Sequence, residues 1–258
     1  MSKVYVFNHY GDSDTQALID RPIPVPGTGE MTVEVRAAGV NPIDWKLRSG
    51  EVGHPRDLPE PIGQEVSGIV TAIGEGVHDF AVGDAILGPV APGHGGFAEH
   101  TAVRAAAVVA KPEEISFANA ATIPIAGSAA YDGTHQIELK KRQTLLIIGI
   151  GGGVGLMAAQ IGKVHGFNVI GTASEAKHEI AESTGAALVS HGDEVADRIA
   201  KIAPDGVDLI AILSADRHCV HSPTLSLIRP ESSRQPTRPP RSILVAATWN
   251  GTPTCSPK

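Results

Sequence analysis

Cysteine is almost missing from this sequence. Of the 258 residues only Cys219 and Cys255 are cysteines, and both lie in the last 42 residues. The first 216 residues therefore exclude disulfide bridges, cysteine-ligated zinc and a cysteine nucleophile. Aromatic residues are also scarce, at 4%, whereas the chain has 29 glycines and 19 prolines. This composition is typical of a turn-rich α/β or β protein and excludes a coiled coil.

Long apolar runs and a positive net charge are lacking as well. No stretch approaches about 18 consecutive apolar residues, and Met1–Tyr10 lacks the basic and then apolar segments of a signal peptide. The formal net charge is −7, whereas binding of nucleic-acid phosphates requires a basic surface. We therefore expect a cytoplasmic protein whose partners include neither a membrane nor a nucleic acid.

The composition changes near residue 216. The last 42 residues carry 6 Lys and Arg against 1 Glu, a charge of +5, and they hold 7 of the 19 prolines but only 1 glycine. We predict that residues 217–258 form an irregular basic tail rich in Pro, Ser and Arg, in which Ile243–Ala247 could form one isolated strand. Such a break has two explanations: a shifted reading frame or alternative splice, or a natural tail with its own role.

Residues 1–115 contain many short strand patterns. Met31–Ala37 alternates apolar and polar residues, and Val66–Ile73 and Val82–Leu87 are further strand candidates. Clusters of Pro and Gly separate these runs at short intervals. This pattern predicts a small β-barrel or β-sandwich.

Residues 116–216 show a different pattern. After a helix that Ser116 can cap, and a second helix from about Ser128 to Ile137, short apolar strands alternate with helices. Because strands joined through helices pair in parallel, this order predicts a doubly wound parallel sheet. The predicted strands are 145–148, 167–171, 186–190 and 207–213, and the helices between them follow Gly155 and cover Glu175–Ser183 and Val195–Ile202.

A glycine-rich loop connects the first of these strands to its helix. Glycines allow a tight turn and a close approach of the backbone to a pyrophosphate, and the helix N-terminus supplies free N–H groups. We predict a dinucleotide site here rather than a merely flexible turn. Its candidate residues are Gly149, Gly152, Gly153, Val154 and Gly155.

The end of the second strand indicates which dinucleotide binds. An NAD site usually places Asp or Glu about 20 residues beyond the glycines, where it holds the ribose 2′-OH. Here Ser174 lies 19 residues after Gly155, with Lys177 close behind. A hydroxyl and an ammonium suit a 2′-phosphate, so we predict NADP(H), although the adjacent Glu175 complicates the choice. The alternative is that Ser174 caps the next helix and Lys177 is only a solvated charge.

Several motifs in a fixed order resemble a known family. They are similar to those of the zinc-independent quinone oxidoreductase branch of the medium-chain dehydrogenase/reductase superfamily. The resemblance covers about residues 1–215 and implies an N-terminal GroES-like β-rich domain and a Rossmann doubly wound parallel sheet that is incomplete here. The motifs are Gly39–Lys46, Pro61–Gly68, Gly95–Glu99, Pro124–Tyr131 and the glycine loop.

The resemblance also implies a chemistry and a set of site residues. Zinc-dependent relatives bind metal at positions that here hold Asn41, Gln64 and Ile125, so we expect no metal. Without a Lewis acid, hydride transfer remains feasible to electron-poor acceptors such as quinones and α,β-unsaturated carbonyls. By resemblance, Asn41 would contact cofactor or substrate, and Asp44 and Lys46 would position the site or relay a proton. The alternative roles of these three residues are structural.

Two further residues are assigned to the cofactor through the resemblance. Ser128 matches a position near the cofactor, and His191 lies where many relatives place a Tyr beside the adenosine 2′-phosphate. The alternatives are a residue that starts a helix and an exposed loop histidine.

The segment that relatives carry beyond residue 216 is absent from this pattern. In relatives it completes the sheet, contacts the nicotinamide and forms the dimer edge. We therefore expect an exposed edge on the fourth strand, no family-type homodimer and much weaker activity than in a full-length relative. The alternative is a non-catalytic nucleotide-binding or interaction protein derived from the family.

Overall fold

The computed structural model describes residues 1–52, 57–135, 140–192, 194–212 and the backbone of 242–244. The chain divides into two compact units, Met1–Ile125 and Ala126–Lys258. Each unit has its own sheets and its own buried apolar residues.

The first unit contains two antiparallel sheets. The smaller sheet has the order β2-β1-β4, and the larger one has the order β7-β3-β5-β6-β8. The β-rich prediction for this region is therefore confirmed. The strands are β1 (Ser2–Phe7), β2 (Gln16–Arg21), β3 (Glu30–Ala38), β4 (Glu60–Pro61), β5 (Glu65–Ile73), β6 (Ala85–Pro89), β7 (His100–Arg104) and β8 (Val109–Ala110).

The core of the larger sheet lies on β3 and its neighbours. Met31 and Val33 are fully buried and pack with apolar residues of β5, β6 and β7. Strand β6 begins at Ala85 and not at Val82 as predicted, because Gly83 has a φ of +100° and Asp84 N donates to Ala81 O across a turn. A left-handed glycine conformation in a tight turn ends the extended backbone there.

Two helices of the first unit follow from local signals, and a π-helix comes after them in the chain. Helix α1 (Pro42–Ser49) starts at Asn41 and ends at Gly50, whose φ of +80° forms a left-handed C-cap. Helix α2 (Phe117–Ala120) is capped by Ser116, whose Oγ accepts a 3.1 Å hydrogen bond from Asn119 N, as predicted. A π-helix covers Ile123–Gly127.

The second unit contains one parallel sheet with the order β11-β10-β9-β12-β13. Its first four strands match the predicted alternation of strands and helices, and the α/β fold is confirmed. The strands are β9 (Thr144–Ile148), β10 (Asn168–Ala173), β11 (Ala187–Ser190), β12 (Leu209–Ile212) and β13 (Ser242–Leu244). The helices are α3 (Ser128–Thr134), α4 (Gly153–His165), α5 (His178–Glu182) and α6 (Val195–Ile202).

Alternate side chains of β9 belong to two different apolar clusters. Leu145 and Ile147 pack with residues of α3, α4 and α5, whereas Leu146 and Ile148 pack with residues of α6. All four are buried. Because side chains alternate across a strand, helices on both faces explain the uninterrupted apolar run.

Two expectations for this unit are corrected. The fourth strand, β12, does not end the sheet, because Ser242–Leu244 pairs with it in parallel. The expected isolated strand of the tail is thus a paired strand, and the rest of 217–258 lies outside the described residues. The single helix expected over Glu175–Ser183 is a 3-10 turn, Glu175–Lys177, followed by α5. Among the described helices, none is long and apolar enough to cross a membrane.

Candidate functional site

The glycine loop joins the end of β9 to the first turn of α4. Gly149 adopts a φ of +89°, and its N–H donates to Thr172 O at 3.2 Å. Gly152 is the N-cap of α4 and has no capping side chain, and the first turn carries no acidic residue. The N–H groups of the first turn therefore remain available to an anion.

Close packing requires glycine at two positions of this loop. A Cβ at Gly155 would lie 2.7 Å from Ile150 Cα and even closer to Gly149 O. A Cβ at Gly151 would lie 2.6 Å from Lys177 Cβ. The loop thus passes directly over Lys177, a contact that the sequence pattern did not identify.

The residues that we predict to bind the 2′-phosphate of NADP(H) come directly after two neighbouring parallel strands. Ser174 and Lys177 come after β10, and His191 comes after β11; all three are exposed. The side chain of Ser174 makes no capping hydrogen bond, although its carbonyl accepts from Lys177 N at 2.9 Å. Because carboxyl ends of parallel strands meet at one edge of a sheet, these residues share the edge that carries the glycine loop.

The two other cofactor candidates lie on the helices. Ser128 is the exposed first residue of α3, a helix that packs against α4. Val154 is half-buried and packs against the apolar cluster of α3 and α4. His178, which is not among the predicted site residues, approaches Ala173 O with its Nε2 at 3.3 Å.

A second group of polar residues lies in the first unit. Asn41 Nδ2 donates to Glu65 Oε1 at 2.6 Å, and Ile125 N donates to Glu65 Oε2 at 2.7 Å. Glu65 is only 1% exposed, and this burial raises the pKa of its carboxyl, although both hydrogen bonds oppose the shift. Glu65 therefore ties Asn41 to β5 and to the backbone at Ile125.

Asp44 is the second buried acid of this group. Its Oδ2 accepts from Asn41 N at 2.7 Å, as the third residue of a capping box does. Burial raises the pKa of Asp44 to about 6, the charge of Glu65 adds to the rise, and the backbone N–H groups of Asn41 and Gly63 oppose it. This carboxyl can thus hold or release a proton near neutral pH.

Two of the three residues that meet here, Asn41 and Asp44, are predicted site residues. Asn41 and Asp44 lie together, but Lys46 does not join them: its Nζ lies 5.7 Å from the centroid of the Trp45 ring. Glu65 was missed as a site residue. One signal in the sequence could have identified it: Glu65 is an acidic residue at the start of an otherwise apolar strand. A carboxylate that is buried with such a strand needs hydrogen-bonding partners, and these partners mark a polar cluster.

The three positions that the family resemblance relates to zinc ligands, Asn41, Gln64 and Ile125, provide a poor set of donors. Asn41 is bonded to Glu65, and Ile125 has no side-chain ligand atom. Within the described residues, no three His, Cys, Asp or Glu side chains cluster as a metal site would require. Neutral amides and an alkyl side chain are not the ligands that zinc prefers.

The raised pKa of Asp44 predicts a pH-dependent stability. An acid with a higher pKa in the folded state binds more protons when folded, so stability is greatest below the unfolded pKa. The free energy of unfolding should fall by about 2 kcal/mol as pH rises from about 4 to about 6, and by about 3 kcal/mol over the whole range from well below the unfolded pKa to well above the folded pKa. Urea unfolding at several pH values, compared with Asp44→Asn, measures this contribution. Identical pH profiles of the two proteins would contradict it.

The sequence matches two protein families. The alcohol dehydrogenase GroES-like domain matches residues 27–113. The zinc-binding dehydrogenase family matches residues 153–230. The second match continues 14 residues beyond residue 216, where the sequence resemblance was expected to end.

Two curated relatives are similar over most of this chain. Quinone oxidoreductase of Sus scrofa is 35% identical over 221 residues, which are 84% of this chain and 67% of the relative. The synaptic vesicle membrane protein VAT-1 homolog of Rattus norvegicus is 34% identical over 211 residues, 80% of this chain and 52% of the relative. The chain thus spans about half to two thirds of the length of these relatives.

Solved structures show the same likeness. The quinone oxidoreductase from Coxiella burnetii has a TM-score of 0.73 and 32% identity, and the match covers 81% of this chain and 68% of that one. The Escherichia coli quinone oxidoreductase complexed with NADPH has a TM-score of 0.76 and 26% identity, with coverage of 85% and 68%.

Proposed function

Because the chain belongs to the quinone oxidoreductase-like proteins of the medium-chain dehydrogenase/reductase superfamily, we propose that it binds NADP(H) and transfers hydride to a quinone or an α,β-unsaturated carbonyl. The observation that carries the proposal is the glycine loop at the start of α4, packed against Lys177. The loop offers N–H groups to a pyrophosphate, and Lys177 offers a cation on the same edge.

NADP(H) is favoured over NAD(H) by the residues after β10. Ser174 is free of capping hydrogen bonds, and Lys177 is exposed beside Gly151. A hydroxyl and an ammonium can bind a 2′-phosphate, whereas a carboxylate that bound the 2′-OH would repel it. Glu175 is exposed in the same turn, so the balance between Lys177 and Glu175 decides the preference.

The proposed reaction requires no metal. The nicotinamide supplies the hydride when the cofactor is bound. Asn41, held by Glu65, offers a positioned amide to a ribose hydroxyl or to a substrate oxygen. Asp44, with a pKa of about 6, can exchange a proton near neutral pH and supply the proton that accompanies hydride transfer. Lys46 takes no part in this scheme.

Loss of the Lys177 charge should weaken NADPH binding selectively. We expect Lys177→Ala to raise the Kd for NADPH about tenfold, which corresponds to about 1.4 kcal/mol, and to leave the Kd for NADH nearly unchanged. Fluorescence titration with both nucleotides measures the two constants. Lys201→Ala removes an exposed lysine of α6 and serves as the matched control. An equal loss for NADH and NADPH would contradict a 2′-phosphate contact.

Turnover tests the reaction itself. NADPH oxidation should depend on an added quinone or enone. NADPH binding without turnover of any acceptor would instead favour a non-catalytic nucleotide-binding protein.

A further inference from the structure

The short π-helix Ile123–Gly127 contains the boundary between the two units of the chain. The first unit ends at Ile125 and the second begins at Ala126, so the chain passes from one unit to the other inside this helix. π-Helical turns are rare and are often found at functional sites. The contacts of its two halves therefore decide which groups this helix connects.

Glu65 holds the first half of the π-helix. Its Oε2 accepts from Ile125 N at 2.7 Å, and the side chain is buried at the start of β5. Gly39 makes room for this contact, since a Cβ there would lie 2.6 Å from both Ala121 O and Glu65 Cδ. The carboxylate is thus packed against the end of α2, just before the π-helix begins.

The second half of the π-helix lies beside the residues proposed to bind the nucleotide. Ala126 is buried, and its Cβ lies 3.8 Å from the position that a Cβ would occupy on Gly153, the first residue of α4. The chain then continues directly into α3, whose first residue is Ser128. A shift of the π-helix by about 1 Å would therefore displace Ser128 and change the space beside the first turn of α4, and misplacements of that size are costly in binding sites.

We propose that Glu65 is a positioning residue for NADP(H), and that it acts through the π-helix without touching the nucleotide. By holding Ile125 N, the carboxylate fixes Ala126 beside the start of α4 and fixes the first residue of α3. This inference rests on the nucleotide site proposed above. It also divides the cofactor: the half that carries the pyrophosphate and nicotinamide depends on Glu65, whereas the 2′-phosphate at Ser174 and Lys177 does not.

Two probes distinguish these halves of the cofactor. NADPH contains both, whereas adenosine 2′-monophosphate has the 2′-phosphate but neither the pyrophosphate nor the nicotinamide. In Glu65→Ala, calorimetric titration should show a Kd for NADPH that is at least about fivefold higher and a nearly unchanged Kd for adenosine 2′-monophosphate. An equal loss for both probes, or no loss for either, would overturn the proposal. If the wild-type protein binds neither probe, the proposed nucleotide site is wrong and the inference falls with it.

The second bond of Glu65, to Asn41, has to be separated from the bond to Ile125. Asn41 is itself proposed to contact cofactor or substrate, so its release alone could weaken NADPH binding. In an Asn41→Ala background this contribution is already lost. Glu65→Ala should still raise the Kd for NADPH at least about threefold there. No further loss in the double variant would show that Glu65 acts only through Asn41.

Two more variants keep the test decisive if Glu65→Ala is unstable. Glu65→Gln should keep a nearly normal Kd for NADPH, because the Ile125 N–H can only donate and takes the glutamine oxygen, whereas the Asn41 amide can turn to accept from the new NH2 group. Ser67→Ala, also on β5, removes a different buried hydrogen bond, from Ser67 Oγ to Ile86 O at 2.9 Å, and should leave both Kd values unchanged. NADPH binding as weak in either variant as in Glu65→Ala would refute a role for the bond to Ile125.

Discussion

Gly155→Ala should lower the free energy of unfolding of the second unit by about 3 kcal/mol or more. The added Cβ would lie 2.7 Å from Ile150 Cα and within contact distance of Gly149 O. Both are backbone atoms held between β9 and α4, so no side-chain rotation can relieve the overlap. The loop must therefore open, and NADPH binding should be lost together with stability.

Gly152→Ala is the matched control for this substitution. Gly152 has ordinary dihedral angles, with φ −90° and ψ 164°, and a Cβ there would meet only Gly149 O at 3.6 Å. Urea unfolding followed by circular dichroism should therefore show near-native stability for Gly152→Ala and a large loss for Gly155→Ala. Equal stabilities of the two variants would mean that the close packing at Gly155 is not required.

Glu65→Ala should destabilise the first unit by about 4 kcal/mol. The substitution leaves Asn41 Nδ2 and Ile125 N without their acceptor, and it opens a cavity at a side chain that is 1% exposed. Each unpaired buried donor costs about 1–3 kcal/mol, and the cavity adds to that cost. The same substitution releases Asn41, so turnover should fall further than stability alone predicts.

Glu65→Gln distinguishes the effect of the negative charge of this residue from the effect of its size and hydrogen bonds. Glutamine keeps the size and one oxygen, so the stability loss should be about half of that in Glu65→Ala or less. It also removes a negative charge that raises the pKa of Asp44, so that pKa should move down. Carboxyl NMR titration of Asp44 measures the shift, and unfolding curves measure the stability. A Glu65→Ala variant as stable as the wild type would show that the two hydrogen bonds contribute nothing.

Regular patterns made the architecture of this chain predictable from sequence. The apolar run of β9, the glycines after it and the alternation of strands and helices are local signals of a parallel sheet. The cap at Ser116 and the α6 bounds, Val195–Ile202, followed from equally local signals. Most residues of the proposed nucleotide site could be placed together from the sequence, because the glycine loop, Ser174, Lys177 and His191 follow strands that neighbour one another in the sheet.

Contacts between distant residues were not predictable in the same way. Glu65 meets Asn41 across 24 positions and Ile125 across 60, and no periodicity indicates either pair. Gly151 meets Lys177 only because β9 and β10 are adjacent. Strand β13 pairs with β12 across a Pro-rich stretch whose composition indicated only irregular structure.

The central position of β9 has a consequence for the order in which the second unit forms during synthesis. Leu145 pairs with Val169 on one side but with Leu209 on the other, 64 residues later in the chain. At roughly 5–20 residues per second, a ribosome needs about 3–13 seconds to make that interval. The edge of β9, β10 and β11, at which we propose that the nucleotide phosphates bind, is thus complete in the nascent chain before β12 can cover the other side of β9. A nucleotide present during translation would bind and stabilise this half-sheet while the opposite edge of β9 is still open to wrong partners.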